Sequence, residues 1–204
     1  MLIVRYSDRT RLTHWAVALL FIVAGLTGLA LFHPSLFFFS ALFGGGQWTR
    51  ILHPYFGLLM VLGFVLLFFK VVRDNFWTRE DTAWVRKAPQ ILKGDEHAMP
   101  PVHKYNAGQK AVFWIFAVSL VLLLITGFLF WRPWFAGYFP IPVRRIAVLI
   151  HAIAAFALVI SVIIHVYAAI WIKGSVRAMT RGVVSENWAR RHHPLWYKQI
   201  NTKK

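Results

Sequence analysis

Two histidines, His151 and His165, lie fourteen residues apart in one long apolar stretch, Arg145 to Trp171. In an α-helix fourteen residues rise roughly 21 Å and return to within roughly 40° of the starting direction. Both imidazoles therefore leave one face, near opposite ends of a membrane-length helix. A polar side chain in such a span needs a partner and marks a functional site. Two on one face suggest two stacked metal centres; the alternative is two core histidines bonded to neighbouring helices.

The rest of the chain must supply the partners. It has 204 residues, 58% hydrophobic, with 23 Lys and Arg against 7 Asp and Glu. The apolar residues come in long blocks, which is the composition of an integral membrane protein. The basic residues flank those blocks, a pattern of membrane topology and not of a nucleic-acid patch. No cysteine is present, which excludes thiolate-held clusters and haem attached through C-x-x-C-H. A redox cofactor here is held by histidine or without protein ligands. No small-residue cleavage site follows the first basic residues, so no removable signal segment is expected.

Four spans are predicted, at about residues 12–32, 53–72, 111–131 and 145–171, each near the roughly 20 residues that cross the hydrocarbon. Ser7 or Asp8 is placed to cap a helix that starts ahead of the first span. Residues 35–43 are apolar but too few to cross, giving an interfacial helix or packed loop ended by Gly44, Gly45 and Gly46. Residues 73–110 form a polar loop, with a short surface helix expected at 83–92. The basic, aromatic tail 173–204 reads as lying along an anionic membrane surface. With no internal repeat evident, residues 1–204 read as a single membrane domain: all-α, a four-helix bundle. Nineteen Lys and Arg fall on the side of the termini and long loop, and four (Arg50, Arg132, Arg144, Arg145) on the other. The positive-inside rule then makes both termini cytoplasmic.

Depth now sorts the remaining histidines. His14 lies at the inner end of the first span and His53 at the outer end of the second. That pairs His53 with His151 outside and His14 with His165 inside. Each pair offers two imidazoles with no carboxylate or thiolate to complete a tetrahedral site. Haem needs only axial ligands, and its apolar plane fits between helices. Gly25, Gly28, Gly57, Gly63, Ala152 and Ala155 would admit a macrocycle, or are ordinary helix-packing positions. His33, His97, His103, His192 and His193 read as interfacial or solvated. Arg50 outside and Lys104 or Lys110 inside are candidate partners for haem propionates, or solvated flanks.

Several stretches carry a more specific likeness: "RILHPYFG" at 50–57, "LKGDEHAMPPVHKYNAGQK" at 92–110, "TGFLFWRPWFAGYFP" at 126–140, "LIHA" at 149–152, "IHVYAAIWIKGSV" at 164–176 and "HHPLWY" at 192–197. With them the chain resembles, over nearly its whole length, the cytochrome b (gamma) subunit of membrane-bound respiratory formate dehydrogenase. The resemblance implies two b haems on His14, His53, His151 and His165, the residues already reached by depth. It also implies a quinone site at Asn106, Gly108 and Gln109, beside His165. Asn and Gln can donate to a quinone carbonyl and Gly admits close backbone approach; the residues alone favour the other reading, that Asn106 only caps the third helix.

The implied function is electron transfer from a periplasmic iron–sulfur beta subunit, through outer and inner haems, to membrane quinone (menaquinone or ubiquinone), with proton uptake from the cytoplasm. The chain itself carries no catalytic residue for formate. A molybdenum or tungsten alpha subunit would supply that chemistry through the beta subunit, in the bacterial inner membrane, with lipid but no nucleic acid as further partner. Two rivals stand beside this reading: the cytochrome b subunit of a hydrogenase or other respiratory reductase, and a haem-free membrane anchor.

Overall fold

The computed structural model describes residues 1–92 and 99–202; the stretch 93–98, with His97, and residues 203–204 lie outside the described residues. Eight α-helices and one two-stranded pairing are described: β1 (Leu2–Val4), α1 (Asp8–Phe32), α2 (Gly46–Val71), α3 (Arg79–Leu92), α4 (Ala107–Phe130), α5 (Ile141–Trp171), α6 (Ser175–Arg181), β2 (Val183–Ser185), α7 (Glu186–His192) and α8 (Pro194–Asn201). α1, α2, α4 and α5 are long and apolar enough to cross a membrane, so the all-α, four-span reading holds. Each begins ahead of its predicted span. The Ser7 hydroxyl accepts from the Thr10 N–H at 3.3 Å and opens α1. Pro34–Phe43 forms a 3₁₀ helix ended by Gly44 at φ 82°.

The chain divides into two compact units, one of Met1–Arg11, Phe69–Trp114 and Ile163–Lys204, the other of Leu12–Phe68 and Ile115–Val162. In the second, the buried positions are mostly small: Ala24, Thr27, Ala30, Ala147, Ala154 and Ser161. Large apolar residues such as Leu19, Leu62 and Phe156 face outward instead. Lipid solvates Leu and Phe as well as a protein core does, so helices gain by bringing small residues together.

The first unit has a conventional core of Ile3, Ala178, Val184, Ala189 and Trp196, with Tyr6, Trp188, Tyr197 and Ile200 packed on it. β1 runs antiparallel to β2, pairing Ile3 with Val184. Gly182, at φ 78°, makes the turn into β2 and lets its carbonyl accept from the Arg5 N–H at 2.8 Å; a Cβ there would stand 2.8 Å from the Tyr6 carbonyl. The tail is thus folded into a small core with the N-terminal strand. Its Trp196 is buried because the N-terminal strand covers it.

Arg5 sits in the same core, 6% exposed. Its guanidinium lies 5.0 Å from the Trp188 ring and 4.9 Å from that of Trp196, and donates to the Lys104 carbonyl at 2.5 Å. His193 corrects the expectation of a solvated tail histidine. It is buried, its Nδ1–H donates to the His103 carbonyl at 2.7 Å, and its Nε2 lies 3.2 Å from Arg5 Nη2. Burial and the Arg5 charge push its pKa down to about 3.

Candidate functional site: a paired-imidazole centre

Within the second unit, α2 and α5 bring His53 and His151 together, with ring centroids 6.3 Å apart and planes at 70°. An iron shared by two imidazoles needs about 2 Å to each nitrogen and about 1.1 Å from nitrogen to ring centre, or roughly 6 Å between centroids. The observed separation matches one metal between the rings.

The two rings are held by the same device. The Thr27 hydroxyl lies 3.0 Å from Nδ1 of His53, and the Thr126 hydroxyl 2.9 Å from Nδ1 of His151. Each hydroxyl also donates to a carbonyl of its own helix, Thr27 to Val23 or Ala24 and Thr126 to Leu122. A hydroxyl has one proton to give. With that proton on a carbonyl, its oxygen accepts from the imidazole, which places the histidine proton on Nδ1 and leaves the Nε2 lone pair for a metal. Each threonine is followed by a glycine that makes room for the same ring. A Cβ on Gly28 would stand 3.1 Å from His53 Cε1, and one on Gly127 3.6 Å from His151 Cε1. So a Thr-Gly dipeptide on α1 serves a histidine on α2, and its counterpart on α4 serves one on α5.

The small residues flagged in the sequence divide by role. Gly63 packs a helix contact, since a Cβ there would meet Val17 at 2.9 Å. Gly25 and Gly57 have nothing within 4 Å of a Cβ, and Gly57 is one turn beyond His53. Paired imidazoles at single-metal spacing, an Nδ1 facing a threonine hydroxyl on each ring and open space beside His53 would fit a flat, axially ligated macrocycle. Among the described residues no cluster of three His, Cys, Asp or Glu is available for a bare ion.

The other predicted residues fall elsewhere. His14 lies on α1 in the second unit, edge-on to Trp15 at 5.3 Å. His165 is an exposed position of α5 in the first unit. Asn106 and Gln109 form a reciprocal cap on α4: the Gln109 N–H donates to Asn106 Oδ1 at 2.9 Å, and the Asn106 N–H to Gln109 Oε1 at 3.0 Å. Both side-chain oxygens are thereby used as acceptors, while the two amide NH₂ groups, which can only donate, take no part in the cap. Gly108 lies between them, with the Trp84 ring 3.4 Å from where its Cβ would be.

Lys110 is not a solvated propionate partner. It is 1% exposed, pairs with Asp81 at 2.6 Å and donates to the Phe76 carbonyl at 3.0 Å. Lys104 pairs with Asp74 at 2.8 Å. Sequence reasoning missed Thr27, Thr126 and Gly127. The repeated Thr-Gly, 26 and 25 residues from the histidine each threonine contacts, was the available signal.

Fold and site together define a multi-pass membrane protein with two imidazoles brought together by α2 and α5. The profile of the family described as prokaryotic cytochrome b561 matches residues 5–182. The cytochrome b556(Fdn) subunit of the nitrate-inducible formate dehydrogenase of Escherichia coli K12 is 42% identical over 199 residues, covering 98% of this chain and 92% of the relative. The cytochrome b556(fdo) subunit of formate dehydrogenase from the same organism is 41% identical over 198 residues, covering 97% and 93%. The formate dehydrogenase cytochrome b556 subunit of Haemophilus influenzae is 39% identical over 197 residues, covering 97% and 83%. The chain belongs to the prokaryotic cytochrome b561 family, among the cytochrome b subunits of formate dehydrogenase.

Proposed function

We propose that this chain is the di-haem, quinone-reducing subunit of a formate dehydrogenase complex in the bacterial inner membrane. The observation that carries the reading is the His53–His151 pair at single-metal spacing, each ring with a threonine hydroxyl within 3.0 Å of its Nδ1. Haem b, when bound, supplies one-electron redox chemistry. His53 and His151 would hold the outer group. His14 and His165, assigned from their depth in the sequence and from the resemblance, would hold the inner one. Both termini are read as cytoplasmic from the distribution of Lys and Arg.

Asn106, Gly108 and Gln109 are proposed to receive the quinone, whether menaquinone or ubiquinone. What supports this is the pair of amide NH₂ groups that the α4 cap leaves to donate. Electrons would come from an iron–sulfur beta subunit fed by a molybdenum or tungsten alpha subunit, with protons taken from the cytoplasm. A hydrogenase subunit would use the same imidazoles, but the relatives at 39–42% identity bear formate dehydrogenase names.

A pyridine haemochrome assay on the purified complex tests the reading. Two haem b per chain are expected, falling to one in His53→Ala or His151→Ala and to one in His14→Ala or His165→Ala. One haem or none in the unaltered protein would sink the two-site scheme.

A further inference from the structure

The second unit has an open hollow of about 480 Å³, lined by Phe130, Arg132, Ile141, Arg144, Arg145 and Val148. Three guanidiniums and no carboxylate line it. Like charges gathered this way repel unless an anion sits among them.

One lining residue, Phe130, links the hollow to His151. Arg144, Val148 and His151 stand at i, i+4 and i+7 on α5 and so share one face. Seven residues separate Arg144 from His151 by roughly 10 Å along the axis. Phe130 lines the hollow and stands edge-on to the His151 ring, centroids 5.1 Å apart. The hollow therefore joins an apolar side chain packed against the imidazole to an arginine two turns away along α5. A b haem has that polarity, an apolar ring with carboxylates along one edge.

We propose that Arg144, with Arg132, binds the propionate carboxylates of the haem held by His53 and His151. This rests on the reading of that pair as a haem site. Arg50, the partner expected from the sequence, does not line the hollow. Guanidinium presents paired donors that match a carboxylate. Its charge also favours the haem form carrying the extra electron, so it raises the reduction potential. A lipid phosphate offers the same anionic chemistry, and the experiment separates the two.

The test is a spectroelectrochemical titration of the purified complex, with the His53–His151 haem identified as the component missing from His151→Ala. In Arg144→Gln combined with Arg132→Gln, two haems remain. The equilibrium of that component shifts about tenfold toward the oxidised form, or about 59 mV for one electron. Arg144→Lys, which keeps the charge, recovers most of the shift, as a purely steric role would not. Arg50→Gln moves neither component by as much as threefold. An unchanged potential in the double variant overturns the proposal, and so does loss of a co-purifying phospholipid without a change in potential. Retention of both haems in His151→Ala would overturn the haem-site reading as well, and the haem count tells that failure from failure of the arginine assignment alone.

Discussion

Lys110 Nζ lies 2.6 Å from Asp81 Oδ2, and both side chains are almost completely buried. The same carboxylate oxygen accepts from the Thr78 N–H at 2.7 Å and the Thr78 hydroxyl at 2.9 Å. One carboxylate therefore opens α3 and fixes it to the first turn of α4, one residue after Gln109.

Breaking this pair on one side should cost more than removing it. Lys110→Met leaves Asp81 buried without its counter-charge, at about 3–5 kcal/mol. Asp81→Leu combined with Lys110→Met should recover much of that loss. Thermal unfolding of the purified complex checks it; a double variant no better than Lys110→Met would show that the pair is not energetically coupled.

Thr126→Val removes the acceptor for the His151 Nδ1–H while keeping side-chain volume. The loss of such a supporting bond typically weakens metal binding by about 10–100-fold. Haem retention in the purified variant should fall accordingly, and Thr126→Ser should restore it. Unaltered retention in Thr126→Val would show that ring orientation does not depend on this hydroxyl.

Asn106→Asp and Gln109→Glu separate the two roles of the α4 cap. Each keeps a side-chain oxygen to accept the backbone N–H, so the cap survives. Each replaces the amide NH₂ with a carboxylate oxygen that cannot donate. If the amides serve quinone, haem content stays at two and reoxidation of the haems by added quinone slows about tenfold, the effect of roughly 1.4 kcal/mol. Unaltered reoxidation in both variants would leave Asn106 and Gln109 as helix caps only.

His193 should make the first unit acid-labile. The folded form holds it neutral, with its pKa lowered to about 3, first by burial and then by Arg5, with a smaller effect from His192. The unfolded chain protonates it near its ordinary value of 6.5, so below that pH the unfolded state binds more protons and stability falls. The expected slope approaches about 1.4 kcal/mol per pH unit between pH 6 and pH 4. Hydrogen exchange at Val184 as a function of pH reads it, and His193→Gln should flatten the curve. An equally steep curve in that variant would place the titration at another group.

The four spans were legible because apolar runs of membrane length have few other uses. His53 and His151 were legible because imidazoles are rare inside such runs. Thr27 and Thr126 were not, since a threonine in an apolar helix ordinarily bonds a carbonyl of its own turn, as both also do. Only the placement of a second helix shows that the same oxygen supports a histidine. The core within the tail was not legible for a related reason. The composition of Arg beside Trp and Tyr does not show that Trp188 and Trp196 lie against Arg5, from the far end of the chain. Lys110 read as a flank because its partner, Asp81, is 29 residues away in a loop whose fold the pattern did not specify.

The pairing of β1 with β2 also orders events during synthesis. Ile3 precedes all four long helices and its partner Val184 follows them, so β1 stays unpaired until those helices have been translated. Closing a contact of such sequence separation is a late step in folding. The packing of Ile3 and Arg5 in the first unit is therefore conditional on synthesis of Val183–Ser185, which follows all four long helices in the chain.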